Sequence, residues 1–277
     1  MKCFFALLIF TITSGLVSAQ DLFKVTESTA AMQKGTQPSF EIFIPEASPK
    51  IVEDNWKKFV EKGTRAKLQR AGSEFVIENA VLKLISDEPM NFYSNIQQSE
   101  NGSVLRVFAE QNEKFISSAS HPSESAVLNT LLMEFALESH GDAVNSEMKA
   151  EQKKLKSLEK DLRKLINDKQ KLERKIRSHE EEIFSYKNDL DVNKRAQQAL
   201  IERSSNTENP EPIDPKDQKK IQNEAKKIQK KINAAQNKIR KAEREIPVNA
   251  QLQKQKKDEI ENQRQRIIKI SGKKIVK

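Results

Sequence analysis

The side chains able to do acid–base or metal chemistry are few and scattered. Three histidines occur, His121, His140 and His179. No two of them share the i, i+4 or HExxH spacing that would set two ligands on one helix face. His121 precedes Pro122 and reads as a helix-start residue, and His140, beside Gly141, reads as solvated. His179 falls on a coiled-coil seam, where a polar side chain fixes register more readily than it binds metal. Carboxylates adjoin at Glu53-Asp54 and Glu180-Glu181-Glu182, but a paired acid and base need one shared pocket. There is no GxGxxG, P-loop or GxSxG, and seven glycines leave little for a phosphate cradle. The expectation is a protein that is not an enzyme, with no catalytic or metal-ligating residues and no cofactor.

Basic side chains carry more information. Lys219-Lys220, Lys226-Lys227, Lys230-Lys231, Arg240-Lys241 and Lys256-Lys257 recur along the last quarter of the chain, with Lys273-Lys274 beyond them. Residues 216–277 hold 20 Lys+Arg against 7 Asp+Glu. Two readings stand. The cations solubilise a coiled coil and cover its seam with their stems, or they bind a polyanion such as anionic lipid headgroups or acidic polysaccharide. Nucleic acid is disfavoured, because no aromatic residue interleaves the runs for base stacking.

The elements that position these cations follow from spacing. Over residues 148–203, a positions fall at Met148, Leu155, Leu162, Lys169, Ile176, Ile183, Leu190 and Gln197. The d positions fall at Glu151, Leu158, Leu165, Leu172, His179, Tyr186, Asn193 and Leu200. Alternating steps of three and four over about eight heptads specify a coiled coil. Three prolines within residues 210–215 end that helix. Heptads resume with d positions Ile221, Ile228, Ala235 and Ala242 and a positions Ala225, Ile232, Ile239 and Ile246. Pro247 is expected to interrupt this register, with Leu252, Ile260 and Ile267 continuing a weaker stripe. Two arms of equal length, ~84 Å of helix at ~1.5 Å per residue, favour an antiparallel hairpin. Pairing of each helix with another chain is the alternative, since Lys169, His179, Asn193 and Gln197 leave the seam imperfect.

Aromatic residues lie elsewhere. Nine of the ten Phe after residue 19 and the one Trp, Trp56, precede residue 136, and none follows Tyr186. A globular core must therefore come from the first half of the chain. Net charge divides at the same place: 13 Lys+Arg against 19 Asp+Glu in residues 1–147, and 36 against 21 in residues 148–277.

Residues 1–19 read as a secretory signal, with Lys2, an apolar run from Phe4 and a Val17-Ser18-Ala19 cleavage site before Gln20. An uncleaved anchor is the alternative, but the run is short of the ~20 residues a span needs. The single Cys3 would leave with the signal, so the mature chain would have no disulfide or thiolate. Export without disulfides suits a bacterial envelope.

Within the first half, a short strand is expected around Leu22, Phe23 and Val25 before the breakers Gly35 and Pro38. Residues 40–44 form a better strand, ended by Pro45. Ser48-Pro49 opens a helix with Val52, Trp56, Phe59 and Val60 on one face, closed by Gly63. Further strands are expected around Ala66 and Leu68, over residues 75–85 and 90–98, and over 104–109. Asn101-Gly102 marks the best hairpin turn, as both residues tolerate positive φ. Phe115-Ile116 adds a short strand. Pro122 opens a helix burying Leu128, Leu131, Leu132 and Phe135, and that helix could run past Gly141 into the coiled coil.

The export signal, the strand at residues 40–44 before the Trp56 helix, and His121-Pro122 opening the helix that contains Leu132 to Leu137 resemble uncharacterised exported Bacteroidota-type proteins. Those join a small α+β head to a Lys/Glu-rich coiled coil. The resemblance brings no assigned activity.

The expected architecture is an α+β head, an antiparallel sheet with helices on one face, followed by a long α-helical coiled-coil hairpin. Its parts are a signal peptide (1–19), head (20–140), first helix (141–203), Pro-rich turn (204–215) and second, basic helix (216–277). The expected role is that of an exported scaffold or adhesion module of the periplasm or cell envelope, or a secreted one. Its partner would be a protein, met through head or stalk, or an anionic surface, and it could self-associate. The rival is a ligand-binding or catalytic head with the stalk as an oligomerisation device.

Overall fold

The computed structural model describes residues 23–62, 64–205 and 212–274. The expectations for the signal, Leu22, the Gly63 stop and the middle of the Pro-rich turn lie outside them. The chain divides into two compact units, residues 1–151 with 267–277, and residues 152–266.

The first unit is built on one antiparallel sheet of seven strands. These are β1 (Val25–Met32), β2 (Gly35–Pro45), β3 (Gln69–Ala71), β4 (Glu74–Ala80), β5 (Met90–Ser99), β6 (Gly102–Gln111) and β7 (Lys114–Phe115). Their order is β1-β2-β6-β5-β4-β3, with β7 on the far end of β6. Helix α1 (Pro49–Val60) follows β2, and α2 (Pro122–Ser204) follows β7. Pairing Phe40 with Val107 and Val107 with Ser94 sets every second residue on the same face. Phe40, Ile42, Ile44, Phe92, Leu105, Val107 and Ala109 on that face close over Val52, Trp56 and Val60 of α1 and Leu128, Leu132 and Phe135 of α2. Trp56 is fully buried, and its indole N–H donates to Ser94 Oγ at 2.8 Å, which removes the cost of an unpaired donor.

Several expected elements take a different form, for physical reasons. Pro38 does not stop β2, because pairing with β6 begins only at Phe40 and no ladder bond is asked of the proline there. Ala66 and Leu68 pack on the core without forming a strand, and the Leu68 N–H is taken by Glu61 Oε1 at 3.0 Å. The strand expected over residues 75–85 ends at Ala80, after a register shift beyond Ile77 and a positive φ of 55° at Asn79. The hairpin at residue 101 is present, but its loop is Glu100-Asn101 and neither has a positive φ. Gly102 is a strand residue, and a Cβ there would meet the Ile44 carbonyl oxygen. The turn with two positive φ angles is Asn112-Glu113, at 50° and 62°.

The sheet curls so that the β1–β2 turn reaches the opposite edge. Gln33 donates its backbone N–H to Glu74 Oε1 at 3.1 Å and its side-chain amide to the Ala71 carbonyl at 2.8 Å. This turn, not a helix, covers Tyr93 and Glu110 on the second face.

The second unit is an antiparallel coiled coil of α2 and α3 (Pro215–Ser271). Contacts between Glu159 and Arg264, Leu165 and Gln253, and Tyr186 and Lys231 run in opposite directions along the arms. On α2, every heptad position from Glu151 to Leu200 assigned to the seam is part-buried while its neighbours are mostly exposed. Ala235 and Ala242 are buried on α3.

Pro247 does not break that register. Helix α3 runs through it, and the three-four spacing continues through Asn249, Gln253, Lys256, Ile260, Gln263, Ile267 and Ile270, each buried or part-buried. Leu252, by contrast, is 45% exposed. The Gln253 amide donates to Asn249 Oδ1 at 2.7 Å and to the Leu165 carbonyl at 3.3 Å, which keeps this polar stretch of seam satisfied.

The end of α3 belongs to the first unit. Ile270 is buried, Lys273 Nζ reaches Glu46 at 2.9 Å and Glu147 at 3.4 Å, and the Lys273 carbonyl lies 3.1 Å from His140 Nε2. His140 Nδ1 lies 2.9 Å from the Pro45 carbonyl. His140 is therefore buried rather than solvated, and joins the β2 end, α2 and the chain's tail.

Candidate functional site

The ten basic residues singled out along the second arm all fall on α3. In the continued heptad, Lys219, Lys226 and Arg240 occupy b, Lys220, Lys227 and Lys241 occupy c, and Lys230 occupies f. These are the positions turned away from a two-helix seam, and all seven residues are exposed. Lys257 is exposed on the flank. The other two turn toward their own chain. Lys231 Nζ sits 5.3 Å from the centre of the Tyr186 ring, a cation–π distance. Lys256 occupies a d position, is 22% exposed and pairs with Glu259 at 2.7 Å.

The strip is continuous with a groove between the two arms, of about 730 Å³. Arg240, Lys241 and Arg244 from α3 and Lys171 and Lys175 from α2 stand around it, against the carboxylates of Asp168 and Glu245. Lys171 is engaged with Asp168 at 3.3 Å. Its apolar part is Leu172, Val248 and Leu252, with Val248 59% exposed. Pro247 adjoins it, lacking the N–H that would bond the Glu243 carbonyl one turn back.

On the first unit the groups with perturbed acidity form one cluster. Glu110 accepts from Lys34 Nζ at 2.7 Å, the Tyr93 hydroxyl at 2.9 Å and Asn91 Nδ2 at 3.2 Å. Burial pushes the Glu110 carboxyl up, but these three donors outweigh it and hold it below the usual carboxylate range. Hydrogen bonding to Glu110, and then the Tyr93 hydroxyl, pushes Lys34 up to about 12. Burial raises Tyr93. With its donors and acceptors satisfied by one another, the cluster fastens the β1–β2 turn over the sheet. The nearby Glu74 has one buried oxygen, Oε2, without a partner.

A second cleft, of about 750 Å³, lies beside α1 and the start of α2. Phe59, Leu131 and Phe135 supply its floor, and Asn55, Ser139 and Asp142 one end. Asn55 Nδ2 donates to Asp142 Oδ2 at 3.1 Å. Glu53 and Asp54 do not converge with other carboxylates there, and Glu180, Glu181 and Glu182 are exposed on α2. Among the described residues no three His, Cys, Asp or Glu side chains are grouped to hold a metal ion.

His121 opens α2 with its Nδ1 2.9 Å from Ser120 Oγ. His179 occupies the seam 3.0 Å from Glu182. Sequence reasoning found the basic strip but missed the groove. Its one sequence signal is the aliphatic pair Val248 and Leu252, spaced i, i+4 among cations. The Lys34–Glu110 cluster left no signal, since the pair is 76 residues apart.

No family model, curated protein or solved structure matches the chain. What the fold and surface define is a class: an α+β domain joined to a long antiparallel pair of helices. No described helix is long and apolar enough to cross a membrane.

Proposed function

We propose that this is a non-enzymatic, exported envelope protein, akin to the Bacteroidota-type head-and-coil proteins it resembles. Its α+β head engages a protein partner, and its basic coiled-coil stalk adheres to a polyanionic surface. The observation that carries this reading is the placement of seven Lys and Arg at outward b, c and f positions of α3, exposed and without carboxylate partners among the described ion pairs. Cations needed only to shield a seam would concentrate at e and g. The filled core between sheet and helices, with its largest side chains almost wholly buried, supports binding at the surface of the head over binding in an interior chamber. The cleft floored by Phe59, Leu131 and Phe135 is the surface on that head suited to a partner.

Cosedimentation of the full chain with anionic vesicles and with alginate tests the adhesion reading. Binding should be strong at low salt and fall steeply as the screening length shortens from about 30 Å to about 8 Å. Absence of binding to both at low salt leaves the lysines a solubilising role and overturns the proposal.

A further inference from the structure

The groove beside Pro247 distinguishes among polyanions. Between residues 216 and 266, Val248 and Leu252 are the large hydrophobic side chains of α3 that stand exposed, at 59% and 45%. One helical turn separates them, so they present a single aliphatic ridge. Leu172 of the other arm extends it, and five cations surround it against two carboxylates. An acidic polysaccharide would satisfy the cations but offers no apolar phase to the ridge. An anionic bilayer offers both, phosphates at the surface and hydrocarbon a few ångströms below.

We infer that this groove is the stalk's lipid-docking site. Val248 and Leu252 enter the headgroup layer of an anionic membrane, while Arg240, Lys241, Arg244 and Lys175 pair with lipid phosphates. The arrangement divides the work between ridge and rim. Long basic side chains reach phosphate from beside an embedded apolar group without burying their charge. Charge complementarity selects an anionic leaflet, and the ridge makes the contact lipid-specific. This inference rests on the adhesion reading and narrows it to one surface.

The test uses the full chain, vesicles of phosphatidylglycerol with phosphatidylcholine, vesicles of phosphatidylcholine alone, and alginate. Wild type should bind the phosphatidylglycerol vesicles and not the neutral ones. The double variant Val248→Ser, Leu252→Ser should lose about tenfold in vesicle affinity and keep its alginate affinity. Both residues are exposed, so the thermal midpoint should not move. Separately, Arg240→Gln with Arg244→Gln should weaken both kinds of binding. A double serine variant that binds phosphatidylglycerol vesicles as tightly as wild type overturns the groove as a docking site. Binding of wild type to alginate but not to vesicles overturns the lipid assignment while adhesion stands. Binding to neither removes both.

Discussion

Single side chains in this protein act mainly as fasteners between distant parts of the chain. Glu110 is the clearest case, holding Lys34, Tyr93 and Asn91 together on the second face of the sheet. Its carboxyl titrates below its ordinary value in the folded chain. It therefore contributes stability above the unfolded carboxylate range, and that contribution is lost as pH falls through the lowered value. Lys34 acts at the other limit, with stability present below its ordinary value of 10.5 and lost as pH rises toward about 12. Glu110→Ala should cost about 1–3 kcal/mol at neutral pH, because it leaves the buried Tyr93 hydroxyl without its acceptor. Urea unfolding followed from neutral pH into acid should show the variant and wild type converging; parallel curves would remove Glu110 from the account. His140 is the second fastener. Its two ring nitrogens face the carbonyl oxygens of Pro45 and Lys273, which ties the end of β2 to the chain's tail. His140→Ala should release the end of α3, seen as faster amide exchange over residues 268–274 with the sheet still protected. Unchanged exchange there would show that Ile270 and Lys273 hold the tail unaided.

Elements differ in how far sequence alone disclosed them. The first coiled-coil arm was legible because its period repeats over about eight heptads, and repetition averages out polar exceptions such as Lys169 and His179. The second arm was legible as an unbroken register only to Ile246, with Ile260 and Ile267 picked out beyond it. Beyond Pro247 the seam passes to Asn249, Gln253, Lys256 and Gln263, and a hydrophobicity pattern cannot register polar residues that satisfy one another. The same limit hid all but the start of β1, whose sequence Val-Thr-Glu-Ser-Thr-Ala-Ala-Met is mostly exposed, and the closure of the β1–β2 turn on Glu74, which joins positions 41 residues apart. The ten basic residues were legible as charge, but the groove was not, since Leu172 and Val248 come from different arms. A polar seam segment costs stability and fixes alignment. Asn249→Leu with Gln253→Leu should therefore raise the stability of the coiled coil by about 1–2 kcal/mol and weaken its choice of register. Thermal melts and light scattering would check this. A destabilised double variant that remains strictly monomeric would show that the Gln253 bonds are worth more than the buried leucines.

At the scale of the whole chain, the question is whether the two long helices close within one molecule. Charge favours it little, since both arms are basic, and the apolar seam is interrupted by polar layers on each side. Registry decides it. Contacts at Glu159–Arg264, Leu165–Gln253 and Tyr186–Lys231 hold one alignment across roughly thirty residues of each arm, or about 45 Å of helix. Within the first unit, Ile270 is buried and Lys273 contacts Glu46 and Glu147. Those contacts hold the end of α3 within the first unit. Ala150→Cys and Ile268→Cys, both at exposed positions, allow spin labels with Cys3 replaced by Ser. In a monomer, the labels should lie within about 20 Å of each other, roughly two helix diameters, and the distance should not change on dilution. A distance near the length of an arm, ~80 Å, or a short distance that disappears when labelled chains are diluted with unlabelled ones, would mean that the helices pair between molecules. In that case the basic strip would be displayed by an oligomer, and its affinity for an anionic surface would rise with protein concentration.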